Sequence, residues 1–190
     1  MFENYKIILA SNSPRRKKLL AGLDIAFEVK VVPGIEESYP QNIPVEEIPQ
    51  YISREKASAY RATGNELVIT ADTVVVLGKE VLGKPVDDAD AIRMLRKLSG
   101  KTHRVITGVT LTTATRQHSF HVTTEVTFKP FTDEEISYYV KNYHPLDKAG
   151  AYGVQEWIGY IGVIGLRGSF FNVMGLPVQR IYEEMVKLKD

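Results

Sequence analysis

The chain contains no cysteine, which excludes disulfides, thiol catalysis and thiolate metal sites and suits a reducing cytoplasm. An excess of charge of one sign is missing as well, since 24 lysines and arginines face 23 aspartates and glutamates, a formal net charge of +1. No global field then steers the protein toward a polyanion, so a nucleic-acid partner is not expected and any positive patch is local. No apolar run approaches the roughly 18 residues that a membrane span requires. The first residues, Met1 to Ala10, do not read as a signal peptide, because the apolar stretch from Ile7 to Ala10 is short and runs into Ser11-Asn12-Ser13-Pro14-Arg15-Arg16. Internal repeats, low-complexity tracts and Ser- or Gly-rich linkers are also lacking. What is there is 44% hydrophobic against 25% charged residues over 190 positions. That composition can bury a substantial core as a single domain over residues 1–190. A compact cytoplasmic protein is the expectation.

Strand and helix patterns alternate early, and strands cluster late. Lys6 to Ala10 reads as a short buried strand, followed by a helix opened by Ser13 and Pro14 with Leu19, Leu20 and Leu23 on its apolar side. Phe27 to Val32 reads as a second strand, and Pro33 to Pro44 as a loop containing Glu36 and Glu37. From Val45 to about Ala62 the pattern is helical, with Ile48, Ile52 and Ala59 on one face and Lys56 among them. Leu67 to Leu77 is a continuous apolar and β-branched run of the kind found in strands covered on both faces, with Asp72 in its centre. A short return strand, Glu80 to Leu82, a helix through Ala91, Ile92, Leu95 and Leu98 closed by Gly100, and an antiparallel pair, His103 to Thr113 and His118 to Phe128, follow. Thr132-Asp133-Glu134-Glu135 matches a capping box for a helix to about Asn142, Ile158 to Leu166 reads as a strand, and Val178 to Lys187 as the last helix. The expected class is α/β, or α+β with a mixed sheet.

Asp72 is the most expensive residue in this pattern, because an ionised carboxylate in an apolar strand costs several kcal/mol unless a cation or hydrogen bonds offset it. It is either a strand-end carboxylate tied to a loop or an arginine, or a functional group, namely a general base or a ligand of a hard divalent cation. Ser11, Arg15 and Arg16 stand where a strand hands over to a helix, a place suited to phosphate oxygens. Lys56 on its apolar face and Lys84 in Gly83-Lys84-Pro85 are two further cations for a phosphate chain. Glu36 and Glu37 would join Asp72 around a metal ion if their loop folds over the strand end. Gly78 to Lys84 also spells the spacing of a nucleotide-binding P-loop, but Pro85 stands where the Mg²⁺-holding hydroxyl belongs, and the kinase and ATPase readings fall with it. The four histidines, His103, His118, His121 and His144, lack zinc-like spacing and read as structural. Cations, carboxylates and a helix start together describe a site for a polyphosphate and a metal, with a small nucleotide as the ligand.

In their order along the chain, Leu9 to Arg16, Glu36-Glu37, Lys56-Ala57, Ala71 to Val75, Leu82 to Pro85, Leu98 to His103, Asp147 to Gln155 and Val173 to Pro177 resemble the Maf family of nucleoside triphosphate pyrophosphatases over nearly the whole length. The resemblance implies an elongated, twisted, mixed sheet flanked by helices, in two lobes with a central cleft, a Maf/ITPase-like fold. It implies hydrolysis of a nucleoside triphosphate to the monophosphate and pyrophosphate with Mg²⁺ or Mn²⁺. Asp72 matches the family's catalytic aspartate, Ser11, Arg15, Arg16, Lys56 and Lys84 its triphosphate ligands, and Glu37 the metal-assisting glutamate. Asp72-Thr73 and Gln155 are similar to the subgroup acting on dTTP and UTP, with Arg15, Thr73 and Gln155 at the positions of substrate selection. Two departures stand out: Glu156 replaces a usual glycine and Tyr51 a usual arginine. Members of the family are often homodimers. Two other readings remain beside this one, a non-catalytic nucleotide sensor acting in cell division and septum formation, and a house-cleaning enzyme for modified pyrimidine triphosphates.

Overall fold

The computed structural model describes residues 2–188; Met1, Lys189 and Asp190, the ends of the expected single domain, lie outside the described residues. Among the described residues seven strands form one mixed sheet in the order β2-β1-β3-β5-β6-β7, with β4 paired to β3 off this path. They are β1 (Lys6–Leu9), β2 (Phe27–Val29), β3 (Glu66–Leu77), β4 (Glu80–Leu82), β5 (Thr102–Thr112), β6 (Gln117–Phe128) and β7 (Val163–Arg167). Strand β1 runs parallel to both β2 and β3, whereas β4 is antiparallel to β3 and β7 to β6. The helices are α1 (Pro14–Ala21), α2 (Ile48–Ser58), α3 (Asp88–Leu98), α4 (Asp133–Tyr143), α5 (Trp157–Gly162), α6 (Phe170–Met174) and α7 (Val178–Lys187). This is the mixed α/β class that the alternation of patterns implies.

The chain divides into two compact units. The first comprises Met1–Asp72, Thr107–Val122 and Gly175–Asp190, and the second Thr73–Ile106 and Thr123–Met174. In the first, Ile7, Ile8 and Leu9 of β1 and Leu67, Val68 and Ile69 of β3 are buried with Leu20 of α1, Ile52 of α2 and Ile181 of α7. In the second, Leu95 and Leu98 of α3, Val105 of β5, Phe128 of β6 and Tyr139 of α4 belong to one apolar cluster.

Local chemistry sets several boundaries. The Ser13 hydroxyl caps α1 by accepting from the Arg16 backbone N–H at 3.4 Å, with Pro14 next in line. In α4 the capping box is complete, because Thr132 Oγ1 accepts from the Glu135 N–H and Glu135 Oε2 from the Thr132 N–H. Gly78, at φ 62, makes the β3–β4 turn that a side chain would strain.

Several sequence expectations need correction. The segment from Ile158 to Leu166 is not one strand: its first half is α5, and pairing with β6 begins at Val163. The two glycines explain it, since a Cβ on Gly159 would stand 1.8 Å from the Val154 carbonyl oxygen and one on Gly162 2.3 Å from the Phe131 ring. The backbone there is packed too closely for the β-branched strand that its composition suggested. Strand β2 stops at Val29 instead of Val32, because it is an edge strand with a partner on one side only. Helix α2 occupies Ile48–Ser58 rather than residues 45–62, and its inner face is completed by Ser53 and Ala57, with Ala59 exposed.

Candidate functional site

Strand β3 carries Asp72 as the last residue of the first unit, 8% exposed and flanked by the buried Ala71. Helix α2 places Lys56 beside it. The Lys56 Nζ donates to Asp72 Oδ1 at 2.9 Å and lies 2.8 Å from Glu37 Oε1, which the loop before α2 brings in. One ammonium thus joins two of the three carboxylates that the sequence singled out, and its own side chain is only 14% exposed. The cation on an apolar helix face is the counter-charge that the buried aspartate requires. Glu36 does not join them; it is exposed.

The approach of α2 is made possible by Gly108 of β5. A Cβ there would lie 2.2 Å from the Gln50 nitrogen and from the Pro49 carbonyl carbon, so the first turn of the helix rests directly on the strand. Hydroxyls then fix the register. Thr70 Oγ1 donates to the Ser53 carbonyl at 2.7 Å, and Ser53 Oγ lies 2.8 Å from Thr110 Oγ1, which lies 2.9 Å from Ser119 Oγ. Three of these residues, Ser53, Thr70 and Thr110, are fully buried.

Arg16 reaches the same strand from α1. Its Nε donates to the Gly175 carbonyl at 2.8 Å and its Nη1 to the Ala71 carbonyl at 2.9 Å. Burial pulls its pKa down, Asp72 pulls it up, Arg15 lowers it and Glu37 raises it; a guanidinium stays charged throughout. Arg16 is therefore braced against the backbone of Ala71, next to Asp72 in the chain, and of Gly175, an anchoring the sequence did not reveal. Ser11 is buried and accepts from the Ser13 N–H at 3.2 Å, and Arg15 lies half-buried on the same helix start.

The second unit carries the remaining candidates. Thr73 continues β3, and Lys84 is exposed on the turn whose Gly83 carbonyl accepts from the Gly150 N–H at 3.0 Å. Gln155 sits in the turn before α5, its Oε1 shielded and without a hydrogen-bond partner. Glu156, a departure from the family pattern, carries a charge that is already engaged: Lys148 Nζ is 3.2 Å from its Oε1, and the Tyr139 hydroxyl donates to its Oε2. Tyr139 and Lys148 are functional candidates that sequence reading missed, Tyr139 because an aromatic on the inner face of a helix reads as core. Tyr51, the other departure, is half-buried on α2.

The histidines have structural settings. His103 is buried with its Nε2 2.7 Å from the Tyr152 hydroxyl, His118 Nε2 lies 3.0 Å from Glu184 Oε2, His121 Nδ1 lies 2.9 Å from Gln50 Oε1, and His144 adopts a left-handed conformation after α4. Among the described residues no group of three or more His, Cys, Asp or Glu side chains is arranged to hold a metal. Asp72 and Glu37 nevertheless fit a Mg²⁺-type ion in kind and number, because such ions are held by one or two carboxylates together with substrate phosphates.

Comparison with known proteins follows the same lines. The model of the family described as "Maf-like protein" matches residues 6–188. A dTTP/UTP pyrophosphatase of Phocaeicola vulgatus is 64% identical over 188 residues, covering 98% of this chain and 97% of that protein. One of Bacteroides thetaiotaomicron is 57% identical with the same coverage of both. Among solved structures, a nucleoside-triphosphatase / dITP/XTP pyrophosphatase of Mycobacterium abscessus matches 65% of this chain and 74% of its own at 15% identity, with a TM-score of 0.40. No helix among the described residues is long and apolar enough to cross a membrane.

Proposed function

The chain belongs to the Maf family, and from that membership we propose that it hydrolyses dTTP and UTP between the α- and β-phosphates, giving the monophosphate and pyrophosphate. The observation that carries the reading is the Asp72–Lys56–Glu37 group, a buried carboxylate held ready by an ammonium that a second carboxylate also grips. Lys56 donates to Oδ1 of Asp72, which leaves Oδ2 to orient a water and take its proton as the oxygen attacks the α-phosphorus in line. Ser11, Arg15, Arg16, Lys56 and Lys84 hold the triphosphate, and the cations among them stabilise the charge that develops on the pyrophosphate leaving group. Arg16 contributes by its field and by keeping the strand beneath Asp72 in place, since two of its donors are committed to carbonyls. Arg15, Thr73 and Gln155 select the substrate.

Asp72 and Glu37 would hold a divalent cation, Mg²⁺ or Mn²⁺, which when bound supplies a Lewis acid for the phosphate oxygens. The reading takes residues 1–190 as one functional domain working in the cytoplasm, as the absence of cysteine suits. It needs no nucleic acid, in keeping with a net charge of +1, and admits a homodimer.

The test incubates the purified protein and Mg²⁺ or Mn²⁺ with canonical and modified nucleoside triphosphates, assaying pyrophosphate and monophosphate separately from orthophosphate. Pyrophosphate from dTTP and UTP is the expected result. Release from purine nucleoside triphosphates alone would overturn the roles of Thr73 and Gln155, and tight binding without any product would replace the enzyme with a nucleotide sensor.

A further inference from the structure

We propose that Glu156, locked by Lys148 and Tyr139, is the positioning residue that aims Gln155 at the nucleobase and so sets which base is accepted; this rests on the role given to Gln155 above. Gln155 occupies the third position of a turn closed by the Glu156 N–H donating to the Gly153 carbonyl at 3.0 Å. Both ends of that turn are pinned to one hydroxyl. The Tyr139 oxygen accepts from the Gly153 N–H at 3.0 Å and donates to Glu156 Oε2. The other carboxylate oxygen faces Lys148 Nζ at 3.2 Å, and that ammonium, on a residue 8% exposed, also holds Asp147 at 2.7 Å. Beyond Gln155 the Glu156 carbonyl accepts from the Gly159 N–H at 2.9 Å, which ties the turn to α5.

The packing leaves the turn no slack. A Cβ on Gly153 would stand 2.9 Å from Glu156 Cδ and 3.0 Å from Gln155 Nε2, so the glutamine amide lies against bare backbone. Its Oε1 is shielded without a partner. An acceptor left unpaired there is costly, and a ligand donor that reached it would relieve that cost. Uracil and thymine present a ring N–H donor at N3, whereas cytosine presents an acceptor there. A glutamine whose amide is held in one orientation discriminates between them, and one free to rotate its amide does not. A flexible Gln also loses rotamer entropy on being ordered, a loss the clamp takes at folding instead of at binding. The residue that departs from the family pattern is thus the one through which this chain fixes its base-reading turn.

The decisive experiment measures kcat and KM of the intact protein for dTTP, UTP, dCTP and CTP. Tyr139→Phe keeps the ring and deletes the hydroxyl, Glu156→Ala deletes the carboxylate, and Glu156→Gln keeps an acceptor for Tyr139. In Tyr139→Phe and Glu156→Ala the KM for dTTP and UTP rises about tenfold, kcat changes less than about threefold, and selectivity over dCTP and CTP falls about tenfold. Glu156→Gln restores most of that selectivity. Unaltered selectivity in both deletion variants, or a parallel loss for all four nucleotides, overturns the inference while leaving the activity standing. A wild-type protein that releases no pyrophosphate from any nucleotide overturns the functional reading and this inference with it.

Discussion

Asp72 costs the fold stability at the place where we propose that it serves chemistry. A carboxylate in a strand of buried Ile69, Thr70, Ala71, Val74 and Val75 is tolerated because Lys56 stands 2.9 Å away, and removing one partner of such a pair costs about 3–5 kcal/mol where a full charge is stranded. Glu37 moderates that loss on the lysine side, because it keeps hold of the ammonium at 2.8 Å. Asp72→Asn preserves shape and removes the proposed base. We expect kcat for dTTP to fall about a thousandfold or more with the nucleotide dissociation constant within about threefold, as read by product release and by binding titration. Full turnover in this variant would remove Asp72 from its role. Asp72 and Lys56 were legible in the sequence because each breaks the apolar pattern of its element. Tyr139 was not, since it obeys its pattern and its hydroxyl acquires meaning only from Gly153 and Glu156, which approach it from another loop.

Helix α2 delivers Lys56 only because it lies directly on β5. Gly108→Ala places a methyl 2.2 Å from backbone atoms of α2, so the helix itself must move. The expected cost is about 3 kcal/mol or more, seen as a Tm lower by roughly 10 °C. A displacement of Lys56 by about 1 Å also lowers turnover by up to about a hundredfold. An unchanged Tm and rate would show that the contact is loose. Contacts of this kind also explain which elements the sequence concealed. Apolar patterning located α1, α3 and β1, a continuous apolar run β3, a capping box α4, and turn residues the β4 return strand and the start of α7, because each of these signals lies within or beside the element itself. Helix α5 was concealed because Gly159 and Gly162 are chosen for close approach to Val154 and Phe131, partners that no local pattern announces. Helix α6, with Asn172 buried and donating to the Val105 carbonyl at 3.1 Å, is likewise held by distant residues.

The stability of the molecule should depend on pH through His103. Burial pushes its pKa down from 6.5 to about 4, so the folded protein keeps it neutral while the unfolded chain protonates it. Its contribution is complete above pH 6.5 and is lost as pH falls from there toward 4, on the order of 3 kcal/mol in full. Denaturant unfolding at pH 7 and pH 5 checks this. The wild type is expected to lose about 2 kcal/mol more over that interval than His103→Gln, and equal slopes would dismiss the histidine as the cause.

The unit that holds Asp72 and Lys56 is assembled from three separate stretches of chain, Met1–Asp72, Thr107–Val122 and Gly175–Asp190. A ribosome making about 5–20 residues per second needs roughly 5–20 s to go from the first of these stretches to the last. Through that interval β1 and most of β3 exist without α7, and for about its first third without the part of β5 that α2 rests on. Closing such distant segments is slow compared with forming local helices. No contiguous fragment therefore reproduces the unit, and the carboxylate and its lysine, only sixteen positions apart in sequence, take their final setting only after residue 175 has been made.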